Sequence, residues 1–96
     1  MTDFELFPLA RLEYAGAFQW YADQSLVAAE RFAAEVEAAI EAIRQYPDRY
    51  PRWNDRYRLY LLKKFPYFIA YRQEKEMIVV VAVRHTSQDQ DAWTGR

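Results

Sequence analysis

A chain of 96 residues that is 52% hydrophobic and 18% aromatic has room for one small core and is too apolar to stay disordered. With no cysteine it can hold no disulfide, no thiol nucleophile and no thiolate-bound metal, a composition that suits a reducing cytoplasm. The net charge of −1 hides an uneven layout: residues 1–45 carry eight acids against three arginines (−5), and residues 46–75 carry three acids against eight bases (+5).

That asymmetry has two readings. One is a basic surface that meets something anionic; the other is a set of strands and loops solvated by Arg and Lys. The opening "MTDFELFPLARLEY" has no basic region followed by an apolar stretch, so no signal peptide is expected. The longest apolar run, residues 77–83, is too short to cross a bilayer. The expectation is a soluble cytoplasmic protein forming one domain over residues 1–96.

In chain order, Phe4 to Pro8 predicts a short strand closed by the proline. Leu9 to about Ala22 turns helical, with Tyr14, Ala17, Phe18 and Tyr21 on one face. Trp20 is assigned to the core. "ADQS" breaks the pattern, and Ser25 is a suitable N-cap for a second helix. There Ala29, Phe32, Ala33, Val36, Ala39, Ile40 and Ile43 trace an apolar stripe, with Glu30, Arg31, Glu35, Glu37, Glu41 and Arg44 on the solvated side. Pro47 ends it.

"YPDRYPRWND" reads as a loop. Three strands follow. In "RYRLYLLKK", Tyr57, Leu59 and Leu61 alternate with Arg56, Arg58 and Tyr60; "YFIAYRQ" is the second strand and "MIVVVAV" the third. The last is apolar without alternation, which predicts a central strand covered on both faces. Short links between them predict an antiparallel meander. The fold class is therefore α+β, in the order β-α-α-β-β-β, with two helices packed on one face of a small, mainly antiparallel sheet.

This order, with several local patterns, resembles the RelE/ParE toxins of type II toxin–antitoxin modules, often labelled plasmid stabilisation proteins. The patterns are Trp20-Tyr21, "RF..EV..AI..I...P..YP" from Arg31 to Pro51, "KFPYFIAYR" from Lys64 to Arg72, and "VVVAVRH" followed by Asp89, Trp93 and Arg96. They extend over about four-fifths of the chain. The chain also departs from that pattern. Where arginines often follow the histidine it has Thr86, Ser87 and Gln88, and a common proline is Gln90.

The resemblance implies a growth-inhibiting toxin neutralised by a cognate antitoxin protein. It leaves the target open. ParE-like members block DNA gyrase by binding, whereas RelE-like members cut mRNA on the ribosome; a disarmed remnant of the fold is a third reading. RNA cleavage needs a proton acceptor, a cation at the phosphate and a donor to the leaving oxygen. Candidates here are His85 and Arg84, with Arg58 and Arg72 beside them and Trp93 to stack on a base. The opposing reading makes His85 a structural residue at a strand end. A target-binding surface would draw on Arg56, Arg58, Lys63, Lys64, Arg72, Arg84, His85 and Trp93. Trp53 is a further exposed anchor if it faces solvent; the alternative for Trp93 is a side chain folded back over the sheet. No cofactor and no metal is expected: Glu37 and Glu41 lie one helical turn apart, and nothing else converges on them.

Overall fold

The computed structural model describes residues 2–88 and 91–96, so Asp89 and Gln90 lie outside the described residues. Strand β1 (Asp3–Leu6) leads into helices α1 (Pro8–Ala22) and α2 (Leu26–Gln45), followed by strands β2 (Arg58–Leu61), β3 (Tyr67–Glu74) and β4 (Met77–His85). The sheet order is β1-β4-β3-β2. β1 runs parallel to β4, and the other pairs are antiparallel. The helices thus carry the chain from β1 across to β2 at the opposite edge, and β3 and β4 return from there until β4 lies beside β1.

Pro8 starts the helix instead of closing the strand. Its missing N–H falls on the first helical position, where no intrahelical partner exists anyway, and its fixed φ is already helical. Just before it, the Phe7 N–H continues the ladder to the Val80 carbonyl at 2.8 Å. Ser25 caps α2 as its sequence predicts: the residue is extended, and its Oγ accepts the Ala28 N–H at 3.3 Å. The buried stripe of α2 is Ala29, Phe32, Val36, Ala39, Ile40 and Ile43.

Trp20 is not core; it is 56% exposed. Ala10 and Ala17 mark the buried line of α1, and Tyr21 continues it on the face its spacing predicts, which turns the adjacent Trp20 outward. Tyr21 packs with Phe32, Phe65 and Tyr67 in an aromatic cluster whose ring centroids lie 5.0 to 6.2 Å apart.

β4 is the central strand and is buried from Ile78 to Val83. Its register against β3 shifts: Ala70 faces Ala82, yet Tyr71 faces Val80. Val81 is therefore an extra residue, a β-bulge that resets the alternation. Ile78, Val80 and Val83 meet the helices, whereas Val79, Val81 and Ala82 share the opposite face. Covering that second face are Tyr57 from the loop and Trp93 near the chain's end, the latter wholly buried. Trp93 stacks edge-on against Tyr57, with ring centroids 5.0 Å apart, and leans on Trp53 and Phe68.

Candidate functional site

β1 covers only residues 77–80 of β4. Beyond Val80 the outer edge of the central strand has no strand beside it among the described residues, and an edge of that kind must find other partners. Side chains supply them. Arg96 Nη1 donates to the Val81 carbonyl at 2.9 Å, Glu13 Oε1 accepts the Val83 N–H at 3.2 Å, and Gln88 Oε1 accepts the His85 N–H at 2.8 Å.

Glu13 is the hub of this edge. Its carboxylate also takes Arg84 Nη1 at 2.7 Å and Arg96 Nη1 and Nη2 at 2.9 and 3.1 Å. All three side chains are more than four-fifths buried, so the attraction is little screened, and each charge depends on the others to offset its lost hydration. Arg84, a candidate for holding phosphate, is held in a structural ion pair. Glu13 was missed by the sequence reading. It looks like any other helix-surface acid, and its partners lie 70 to 83 positions away.

His85 is fixed by its own turn. Its Nδ1 accepts the Ser87 N–H at 3.0 Å and lies 2.7 Å from Ser87 Oγ. The neutral ring therefore carries its proton on Nε2, and the nitrogen left for a ligand is a donor, not a base. The ring stands edge-on to Tyr67, centroids 5.2 Å apart. Beside it an open groove of about 770 Å³ runs between α1 and the ends of β3 and β4, walled by Trp20, Tyr21, Tyr67 and Val83. Burial pushes the Tyr21 and Tyr67 hydroxyls further from ionisation, helped at Tyr67 by neighbouring Tyr21. Neither can replace a histidine as base near neutral pH.

The expected basic residues do not form one patch. Lys63 and Lys64 sit on the turn after β2, where Glu35 of α2 accepts their backbone N–H groups at 2.5 and 3.3 Å; Glu35 is thus a turn-fastening residue as well as a helix-surface acid. Arg58 and Arg72 lie at the other end of the β2–β3 hairpin, since Arg58 faces Tyr71. The length of β2, four residues or roughly 13 Å of extended chain, separates the two groups. Arg56 belongs to the loop before β2, not to the strand, and its guanidinium lies over the Tyr57 ring. Arg58 donates to the Tyr50 carbonyl at 2.7 Å. Arg72 pairs with Glu74, and its Nε donates to the Arg96 carbonyl at 3.2 Å.

Trp93 is unavailable as a stacking platform, because it is buried under the second face of the sheet. The segment that carries it is tied down by Tyr57, whose hydroxyl donates to the Arg96 carbonyl and accepts the Gly95 N–H, both at 3.0 Å. Nearby, burial raises the Tyr71 hydroxyl to about 12, and it donates to the Pro47 carbonyl at 2.7 Å. Among the described residues, no three His, Asp or Glu side chains gather in a way that could hold a metal ion.

Comparison with known proteins adds a family to this geometry. Residues 5–90 match the family described as "ParE toxin of type II toxin-antitoxin system, parDE". Toxin ParE2 of Mycobacterium tuberculosis, in strains CDC 1551 and H37Rv, is 34% identical over 77 residues, covering 79% of this chain and 73% of the relative. A solved structure titled "Chromosomal ParDE TA system from P. aeruginosa" superposes with a TM-score of 0.77 at 12% identity, over 88% of this chain and 96% of that one. At that identity the superposition speaks for the fold.

Proposed function

The chain belongs to the ParE toxin family of type II toxin–antitoxin systems, and from that premise we propose that it arrests growth by binding DNA gyrase in the cytoplasm, not by cutting RNA. The observation that carries this reading is the state of the His85 corner. The imidazole nitrogen not bonded to Ser87 is a donor, and the adjacent Arg84 is held by Glu13. A nuclease would need a free base and a free cation there. Binding needs neither. Gyrase as the target follows from what the resemblance to ParE implies. The purified chain is expected to inhibit supercoiling by gyrase and to leave ribosome-bound mRNA intact. Cut mRNA with undisturbed supercoiling would replace this proposal with the endonuclease reading, and a folded chain inert in both assays would favour the remnant.

A cognate antitoxin is the second partner proposed, seated on α1. Leu9, Leu12 and Trp20 are 47%, 67% and 56% exposed. They recur at three and eight residues on one flank of the helix, beside the open groove. Large apolar side chains at that spacing suit an amphipathic partner segment. A Trp20→Ala substitution is expected to weaken co-purification with the product of the neighbouring gene at least tenfold while the melting temperature holds. Undiminished capture would move the antitoxin to another face.

A further inference from the structure

The arginines at the open end of the β2–β3 hairpin form a feature of their own. An Asn54 side chain fixes the loop before β2, accepting the N–H groups of Arg56 and Tyr57 at 2.8 and 2.9 Å. Arg52 bridges to Arg58 across that loop. Four guanidinium-bearing residues, Arg52, Arg56, Arg58 and Arg72, thereby line one polar groove of about 220 Å³. Arg58 is anchored through Nη1 to Tyr50, and its Nη2 stays 3.9 Å from Asp48, beyond hydrogen-bond reach. Arg52 and Arg56 are exposed, and among the described residues neither forms a salt bridge. Arg52 Nη1 donates to the Asp55 carbonyl at 3.4 Å and the Arg56 guanidinium lies over the Tyr57 ring, contacts that leave both positive charges without a carboxylate partner among the described residues.

We infer that this groove is an anion site that receives carboxylate side chains from an acidic segment of a partner protein. Guanidinium forks bind carboxylate and phosphate alike, in paired hydrogen bonds. Two observations favour the protein carboxylate. The groove is smaller than the roughly 300 Å³ at which small-molecule pockets begin, room for one or two head groups and not for a run of nucleotides. Asp48 and Asp55 also stand in its lining. They interrupt the continuous positive track that a phosphate backbone requires, whereas discrete carboxylates can be spaced between them. Arg52 was absent from the sequence-based set of basic candidates, and Lys63 and Lys64 stand apart from the groove. The inference does not rest on the identity of the toxin's target.

The test is fluorescence anisotropy of labelled hexaglutamate and of a six-nucleotide single strand, titrated with the purified full chain at low salt. The Arg52→Gln/Arg56→Gln pair is expected to weaken hexaglutamate binding roughly tenfold or more. Lys63→Gln/Lys64→Gln removes the same charge from the far end of the hairpin and is expected to change it less than about twofold. Circular dichroism checks that each variant is folded, and Arg56→Gln alone serves if the double variant is not. Equal losses in the two pairs would reduce the effect to general attraction and overturn the site. Tighter binding of the oligonucleotide than of hexaglutamate would assign the groove to nucleic acid instead. No binding of hexaglutamate to the unsubstituted chain would end the proposal.

Discussion

Glu13 shows how one side chain can decide what its neighbours are free to do. Its carboxylate joins α1 to the open edge of β4 and fixes two arginines from distant parts of the chain. Replacing it by glutamine keeps the shape but leaves Arg84 and Arg96 buried without a counter-charge. Glu13→Gln is therefore expected to cost about 2–4 kcal/mol in urea denaturation. Glu41→Gln breaks the more exposed pair with Arg44 and should cost less than about 0.5 kcal/mol. Equal costs would mean that the cluster is no more than a surface ion pair. At this scale the sequence was only partly readable. That His85 lies at a strand end follows from the apolar run before it. Which of its nitrogens carries the proton depends on the Ser87 N–H, and that is set by turn geometry, which no spacing encodes.

Among the elements, α2 was the most legible, because a cap, an apolar stripe and a terminating proline all agree. β4 was also legible as a strand covered on both faces, though its bulge at Val81 was not. Pro8 and Trp20 were misread for related reasons. A proline is compatible with a strand's end and with a helix's first turn, and a tryptophan's large apolar surface argues for the core even where, as at Trp20, the helical face through Tyr14, Ala17 and Tyr21 passes one residue to the side. The cover on the sheet's second face was the least predictable part. Residues 91–96 have no repeat pattern, yet Trp93 is the largest fully buried side chain in the protein. Trp93→Ala would leave a cavity beneath Tyr57 and Phe68 and is expected to destabilise by about 3–5 kcal/mol, a large share of the 5–15 kcal/mol typical of such a domain. Thermal unfolding would measure it. A shift no larger than that of an exposed substitution such as Trp53→Ala would mean that the segment does not cover the sheet.

For the whole molecule, the charge asymmetry was readable in the sequence and its layout was not. Eight bases in thirty residues suggest one basic surface. The fold instead places Lys63 and Lys64 at one end of the hairpin, and at the other gathers Arg58 and Arg72 with Arg52 and Arg56 of the preceding loop. The apolar side of α1 forms a third face, and its exposure went unread because Trp20 had been assigned to the core. Under the proposed binding function these separate faces hold the partners, and His85, fixed by its own turn, takes no part in proton transfer. The most direct test is to express the chain and its His85→Ala variant separately, without the neighbouring gene, and to map new transcript 5′ ends alongside viable counts. The account predicts that both proteins arrest growth and that neither creates new ends. Transcript cuts that appear with the unsubstituted chain and vanish with His85→Ala, while the variant stays folded, would contradict it.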